Sequence, residues 1–310
     1  KLRNNDVTYK FRQSSNFFYL TGINDPSLVL ILMKKNNISS SILICNKPNN
    51  KDKIWTGQLP TKNSYKKNYS IDRALYTDEL NKLNLEDINN LYFEFNDKSK
   101  IERFLSTVKQ VETSRYNKKN NYLSSRIDVS NLIFDMRRIK SKYEISQITS
   151  AANISVLAHI NMIKTCKPGQ NECEIEAEFT RICMSNQCEQ AYPAIVATGK
   201  NGCILHYTKN KSILRKGDLL LVDAAAEYKN YASDITRTIP VSGKFNIYQK
   251  MIYEIVLNAQ TMAIKSCKPG KTLVDIHNVA VKYITKGLIQ AKILKGSIDK
   301  NIKSQGYKKY

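Results

Sequence analysis

The chain has 310 residues, which is enough for about two domains of ordinary size. Hydrophobic residues make up 42% and charged residues 25%, which excludes a disordered chain and is typical of a globular protein. The longest apolar run covers only residues 28–33, far short of the ~20 residues in a membrane-spanning helix, so no membrane partner is predicted. The net charge of +22 comes mainly from lysines spread along the chain, without basic clusters between aromatics, and predicts no specific nucleic-acid partner.

The seven cysteines are scattered and form no CxxC pair, so neither a disulfide framework nor a zinc ribbon is predicted. This pattern favours free thiols in a reducing compartment, and we expect a cytoplasmic protein. The chain begins with Lys1, and no secretory hydrophobic region follows it. We therefore expect the N-terminus to have been cut from a longer chain.

The first part of the chain predicts a small α/β domain over residues 1–125. Short apolar runs between turn residues predict strands at 17–20, 28–31 and 42–44. Helices are predicted at 78–91 and 97–111, with a strand at 91–95 between them. A polar stretch at 117–125 predicts a linker to the next domain.

The second part, residues 126–310, contains an internal repeat. Helices are predicted at 142–165 and 172–186, separated by a Pro-Gly stop. The segment 163–169 recurs as 264–270 with six of seven residues identical, and each copy lies between two helical stretches. We therefore expect a second domain built from two pseudo-symmetric halves.

Between the two copies, residues 219–236 predict a β-hairpin with Lys229-Asn230 as a two-residue turn. This register places Ala225 opposite Asp234. Side chains alternate along a strand, so Asp223 shares the face of Ala225. Asp223 and Asp234 then become diagonal neighbours, with about 7 Å between their Cα atoms.

Two carboxylates that lie so close together at the end of a buried strand require a positive group between them. Arg237 and a metal ion are both candidates, and the spacing alone favours neither. Oxygen ligands suit hard cations such as Mg²⁺ or Mn²⁺, and two ions about 3.5–4 Å apart could share both carboxylates.

His206 lies a short loop before the first strand of the hairpin and is a candidate catalytic residue. His159 and His277 lie in predicted helices, and we interpret both as packing or surface residues. The acidic residues of segment 172–178 are predicted to cover a helix N-terminus, where negative charge is favourable.

The segments 223–228 and 234–238, Asp-Ala-Ala-Ala-Glu-Tyr and Asp-Ile-Thr-Arg-Thr, resemble the signature of the pita-bread metallopeptidases, family M24. Within that family the chain is most similar to the Xaa-Pro aminopeptidases (aminopeptidase P), whose motifs also resemble segments 9–22, 54–57 and 201–208.

The resemblance implies an α+β fold: a small creatinase/prolidase-like N-terminal domain followed by a pseudo-twofold pita-bread domain. It implies a metallo-exopeptidase that cleaves peptides with proline at the second position, and a homo-oligomer, either a dimer or a tetramer. Two alternatives stay open, an Xaa-Pro dipeptidase (prolidase) and a non-catalytic pita-bread binding module.

The resemblance also implies two divalent metal ions, usually Mn²⁺, held by two Asp, one His and two Glu. Asp223 and Asp234 match the two aspartates of this set. A metal-bridging hydroxide attacks the Xaa-Pro bond in the family, and His206 matches the histidine that hydrogen-bonds the substrate or the tetrahedral intermediate. Three further residues match positions at or near the substrate pocket: Asp6, Trp55 and Arg137.

The chain departs from the family pattern in two ways. It has Asp223-Ala224-Ala225 where the family usually has Asp-Ala-Gly, so the extra methyl group is expected to crowd the metals or shift the strand. It also stops at Tyr310, where the family would present a His-Gly-x-Gly-His segment and, later, two glutamates. We therefore expect these 310 residues to be a fragment that binds Mn²⁺ weakly and has no activity alone.

Overall fold

The computed structural model describes residues 3–5, 7–83, 88–97, 101 and 125–310. The chain divides into two compact units, Lys1–Ile148 with Lys229–Tyr231, and Thr149–Tyr228 with Ala232–Tyr310. Both units combine helices and strands, in agreement with the predicted α+β class. No helix among the described residues has the length and apolar character of a transmembrane segment.

The first unit is built on a three-stranded sheet in the order β1-β2-β3. Strand β1 (Val29–Lys35) pairs antiparallel with β2 (Ile38–Cys45), and β2 pairs parallel with β3 (Arg73–Tyr76). Both faces of β2 are buried: Ile42 and Ile44 enter one core cluster, and Leu43 and Cys45 enter another. This explains why the predicted strand at 42–44 is a continuous apolar run.

The first unit also contains three short helices. Helix α1 (Ser15–Thr21) precedes β1 in the chain, and α2 (Asn50–Thr56) and α3 (Lys62–Asn68) lie between β2 and β3. The strand predicted at 17–20 was wrong, because these residues lie in α1. The helix ends at Gly22, which has φ +70° and whose N–H donates to the carbonyl of Phe18. This left-handed cap outweighs the β-propensity of the aromatic residues.

The helix predicted at 78–91 was also wrong. Among the described residues, a 3₁₀ turn covers Thr77–Lys82, and β4 (Asn90–Phe93) begins within the predicted helix, whereas residues 84–87 lie outside the described residues. The Glu79 carboxylate bonds back to the N–H of Tyr76, and Leu83 is fully buried in the core, which ends the turn. The predicted strand at 91–95 corresponds to β4. The predicted helix at 97–111 lies almost wholly outside the described residues.

The rest of the first unit contains β5 (Ser125–Asp128), which pairs parallel with β4, and α4 (Ser130–Arg138). The predicted linker at 117–125 lies outside the described residues except for Ser125, which begins β5. The predicted domain boundary after residue 125 stays a prediction, whereas the two compact units divide after Ile148.

The second unit begins with two helices that match the predictions, α5 (Lys142–Thr165, which starts in the first unit) and α6 (Glu172–Ser185). Its central sheet has the order β11-β8-β7 and is antiparallel throughout. These strands are β7 (Ile195–Thr198), β8 (Leu219–Asp223) and β11 (Thr236–Pro240). A second small sheet has the order β10-β9-β6, with β6 (Glu189–Gln190), β9 (Ala226–Tyr228) and β10 (Tyr231–Ala232).

The core of this unit lies between the two helices and the central sheet. Met162 of α5 and Phe179 of α6 meet Val196, Leu220 and Val222 of the sheet, and all five side chains are almost completely buried. The inward-facing residues of β8 are therefore apolar up to Val222, and the strand ends in the polar Asp223.

The internal repeat is reproduced in the structure. Helices α7 (Ile247–Ser266) and α8 (Leu273–Gln290) flank the second copy of the motif, as α5 and α6 flank the first. The helix before each motif ends 101 residues apart in the two copies, and so does the start of the helix after it. Both second helices also begin with a capping box, at Asn171 and at Thr272. The chain closes with α9 (Ile298–Lys303) and a 3₁₀ turn at Gly306–Lys309.

Candidate metal centre

The hairpin that carries the two aspartates has the register predicted from sequence. Lys229 and Asn230 form its turn with φ +46° and +65°, the conformation of a type I′ turn. The Ser233 N–H donates to the Ala226 carbonyl, and the strand pairs Asp223 with Thr236. This register places Asp223, the last residue of β8, diagonally opposite Asp234, which lies between β10 and β11.

Side chains of helix α5 hold the backbone of the hairpin by hydrogen bonds. The Ala226 N–H donates to Ser155 Oγ at 2.7 Å, and Ser155 Oγ lies 2.8 Å from Ser233 Oγ. His159 Nε2 lies 2.9 Å from the Ala224 carbonyl oxygen, and burial lowers the pKa of this histidine. The neutral ring therefore donates to the carbonyl beside Asp223. His159 is a packing residue, as predicted, and His277 is exposed.

Tyr192 brings the two carboxylates together. Its hydroxyl lies 2.6 Å from Asp223 Oδ1 and 3.1 Å from Asp234 Oδ1, so both oxygens share one donor. Burial and the neighbouring Asp223 raise the pKa of Tyr192, which keeps the proton on the phenol. Asp223 is half-buried and Asp234 is exposed, so the pair opens towards solvent.

No basic side chain neutralises this pair within the described part of the chain. Neither carboxylate has a Lys, Arg or His nitrogen within 4.0 Å among the described residues. Arg237 instead donates to the carbonyl of its neighbour Thr236 at 2.8 Å. Of the two candidates for the positive group, the geometry thus favours a cation over the Arg237 salt bridge.

The carboxylate oxygens fit a hard divalent cation, but the described residues do not complete a ligand set. No group of three or more His, Cys, Asp and Glu side chains in the described ranges is placed to hold a metal. Asp223 and Asp234 therefore fit as one side of a divalent-metal site, with the remaining ligands unassigned.

Ala225 is accommodated without a shift of the strand. It is fully buried, and its carbonyl accepts a hydrogen bond from the Ala191 N–H at 2.7 Å. The register is the same on both sides of it, because Asp223 faces Thr236 and Ala226 bonds to Ser233. The strand shift expected from the extra methyl group is therefore absent.

The remaining predicted site residues lie in different surroundings. His206 is exposed on a turn after the 3₁₀ helix Gly199–Cys203, in the second unit. Trp55 is 76% exposed on α2, and Arg137 of α4 donates to Asn16 Oδ1, both in the first unit. Asp6 lies outside the described residues. The roles of these residues stay predictions.

Sequence reasoning missed Tyr192 and Ser155 as parts of the site, and it did not show that His159, predicted as a packing residue, packs against the hairpin. Tyr192 precedes Asp223 by 31 positions along the chain. A half-buried tyrosine beside a turn carries no local signal for its partner. The helical spacing of Ser155 and His159, four residues apart, shows that they share one face of α5, but it does not show which strand that face meets.

Comparison with known proteins identifies the class. Residues 146–308 match the model of metallopeptidase family M24, and residues 1–91 match the model of the aminopeptidase P N-terminal domain. The chain therefore belongs to metallopeptidase family M24, and the predicted architecture, an N-terminal domain followed by a pita-bread domain, is confirmed.

The relatives narrow the position within the family. The chain is 37% identical to the Xaa-Pro aminopeptidase of Haemophilus influenzae, covering 100% of this chain and 70% of that protein. It is 33% identical to the Xaa-Pro aminopeptidase of Escherichia coli, covering 99% of this chain and 71% of that protein.

Solved structures of aminopeptidase P are also similar to this chain. Proline aminopeptidase P II from Yersinia pestis has a TM-score of 0.92 at 35% identity, over 98% of this chain and 71% of that one. A low-pH form of E. coli aminopeptidase P has a TM-score of 0.92 at 33% identity, over 98% and 70%. Further structures of the E. coli protein are alanine variants of two aspartates eleven positions apart and of a histidine seventeen positions before the first.

Proposed function

We propose that the protein carrying this chain is a metal-dependent aminopeptidase that releases the N-terminal residue of peptides with proline at the second position. Asp223 and Asp234 contribute one side of a centre for two divalent ions, which we propose to be Mn²⁺. The observation that carries the proposal is the shared Tyr192 hydroxyl, which joins two carboxylates that have no cation among the described residues.

Electrostatics supports the metal assignment. Two carboxylates in contact with one hydroxyl repel each other, and half-burial of Asp223 adds a desolvation cost. The Tyr192 hydroxyl has a single proton and engages only the Oδ1 atoms, so the Oδ2 atoms remain available as ligands. When bound, a divalent metal pair supplies a water activated for attack on a peptide carbonyl.

The spacing of three residues supports the site assignment. His206 lies seventeen positions before Asp223, and Asp234 lies eleven positions after it. The histidine and aspartates varied in the E. coli structures have the same spacing. We propose that His206, exposed and close in sequence to β8, hydrogen-bonds the substrate. Asp6, Trp55 and Arg137 are proposed, from the family resemblance, as substrate-pocket residues.

Several finer assignments belong to the same proposal. The match to the aminopeptidase P N-terminal domain supports an aminopeptidase rather than a prolidase. All seven cysteines are free thiols, which supports a reducing cytoplasm as the compartment. From the family resemblance we also propose a homo-oligomer, a dimer or a tetramer.

The test uses the full-length gene product and an Arg-Pro-Pro peptide. Wild-type protein with Mn²⁺ should release arginine, and Asp234→Ala should abolish release while leaving the circular dichroism spectrum unchanged. Asp299→Ala, an exposed aspartate on α9, is the matched control and should keep full activity. Activity of Asp234→Ala at the wild-type rate would refute the metal assignment.

A second measurement tests the 310 residues by themselves. Because they provide two carboxylates and no third ligand among the described residues, we propose that this polypeptide binds Mn²⁺ weakly and has no turnover. Mn²⁺-dependent cleavage of the same peptide by this polypeptide would contradict that expectation.

A further inference from the structure

Glu172, the first residue of α6, is a charged side chain with no exposed surface. Burying a carboxylate is costly unless donors surround it. Four donors do so. Oε1 accepts from the Thr198 N–H at 2.8 Å and from Asn201 Nδ2 at 3.0 Å. Oε2 accepts from the Tyr207 hydroxyl at 2.7 Å and from the Ser212 N–H at 2.8 Å.

All four donors come from one continuous segment, residues 198–212, which we call the histidine loop. They lie at its two ends and at two points between, so a single carboxylate fastens the loop along its whole length. A cap needs fewer partners than this: the helix N-terminus is already capped by Asn171 and Glu174. The four-donor arrangement is thus an addition to the helix cap.

His206 lies in this loop, next to Tyr207. Its ring is exposed, and among the described residues no hydrogen bond holds it. The position of His206 therefore depends on the loop backbone. The nearest anchor of that backbone is the contact between the buried Tyr207 and Glu172.

We propose that Glu172 is a positioning residue that places His206 for the reaction. The inference rests on the proposed function, and on the proposed role of His206 in particular. Displacing a reacting or binding group by about 1 Å can cost about 100-fold in rate. We expect Glu172→Gln to lower kcat/KM about 10- to 100-fold. The amide NH₂ group of glutamine replaces one carboxylate oxygen and cannot accept the two hydrogen bonds that this oxygen accepts.

The test is a double-mutant cycle on the full-length gene product with Arg-Pro-Pro peptide and Mn²⁺. The four proteins are wild type, Glu172→Gln, His206→Ala and the double variant. If Glu172 acts through His206, the substitution should cost 10-fold or more in the wild-type background and less than about twofold in the His206→Ala background. Both single variants should also divide the loss between kcat and KM in the same way.

Two further variants keep the result interpretable. Tyr207→Phe removes one donor and leaves the other three, so it should fold even if Glu172→Gln does not, and its smaller loss should also vanish in the His206→Ala background. Glu178→Gln on the same helix is the control, since Glu178 pairs with Arg181 at the surface and should keep wild-type activity.

The possible outcomes distinguish a failure of the positioning role of Glu172 from a failure of the proposed function. Equal losses in both backgrounds for Glu172→Gln, or for Tyr207→Phe if the first does not fold, overturn the positioning role while leaving the peptidase intact. The absence of any loss in both backgrounds would also overturn the positioning role. A wild-type protein without activity, or a His206→Ala variant at the wild-type rate, overturns the proposed function or the role of His206, and the inference with it.

Discussion

Removal of one hydroxyl group tests the candidate metal centre most directly. Tyr192→Phe keeps the aromatic ring and deletes the oxygen that lies 2.6 Å from Asp223 Oδ1 and 3.1 Å from Asp234 Oδ1. Without it, the two carboxylates lose the donor that holds them in a common orientation. We expect the affinity for Mn²⁺ to fall about 10- to 100-fold.

Two estimates agree on this magnitude. A hydrogen bond to a charged group contributes about 1.5–3 kcal/mol, and the single proton of Tyr192 supplies about one such bond to the pair. Loss of a hydrogen-bonding partner behind a metal ligand typically costs about 10- to 100-fold in affinity. At about 1.4 kcal/mol per factor of ten, this corresponds to roughly 1.4–2.8 kcal/mol.

An opposing effect is smaller. Freed from the hydroxyl, the carboxylates repel each other more and attract a cation more strongly. Because Asp234 is exposed, solvent screens this repulsion, which is about 1 kcal/mol for unit charges about 4 Å apart in water. The loss of orientation should therefore dominate, and the net effect should be weaker binding.

The assay needs no catalysis. The 310-residue chain is titrated with Mn²⁺, and free Mn²⁺ is measured from its electron paramagnetic resonance signal. Asp234→Ala marks the loss of the site, and Tyr248→Phe, which deletes a hydroxyl from an exposed residue of α7, is the matched control. A Tyr192→Phe dissociation constant within about twofold of wild type, or a tighter one, would refute the reasoning if Asp234→Ala still abolishes binding.

Three stability predictions can be checked by urea denaturation. Hydrogen bonds from Lys62 and other donors lower the pKa of Glu79 from its usual 4.5 to about 2. These bonds therefore stabilise the fold above pH 4.5, and this stabilisation is lost as the pH falls towards 2. Glu79→Gln should lose less stability than wild type between about pH 6 and pH 3, and an equal loss in the two proteins would contradict this. Phe179→Ala should cost about 3–5 kcal/mol, because the side chain is fully buried in the second unit, and a loss below about 1 kcal/mol would count against this core. Gly287→Ala should cost roughly 1 kcal/mol, because its Cβ would meet an isoleucine of α7 at 2.5 Å and overpacking outweighs the gain in helix propensity. Gly202→Ala, with no contact below 3.7 Å, is its control, and similar values for the two would exclude a tight crossing of α7 and α8.

Local patterns predicted those elements whose signals lie within the element. Helix α5 has the predicted bounds at both ends, since its apolar period and its Pro-Gly stop are both local. The hairpin register follows from a two-residue turn, because the side-chain period of two then determines which residues face each other.

Predictions failed where capping or packing of a segment outweighs the propensity of its residues. Residues 17–20 favour a strand by composition, yet the left-handed cap at Gly22 closes them into a helix. Residues 78–91 have a helical pattern, but the described part of this range forms a 3₁₀ turn that ends at Lys82, beside the buried and extended Leu83, and a strand that begins at Asn90. Local propensities are too small to resist such packing.

The sequence by itself determined the family, the repeat of 101 residues and the diagonal proximity of Asp223 and Asp234, because each rests on motifs or on spacings along one strand pair. Only the tertiary structure decided that Tyr192 joins the two carboxylates, that Arg237 does not neutralise them, and that Glu172 fastens the histidine loop. The contacts of Tyr192 and Glu172 join residues from separate elements. A linear pattern shows which face of an element is apolar or polar, but the partner that meets this face is chosen by the packing of the whole unit.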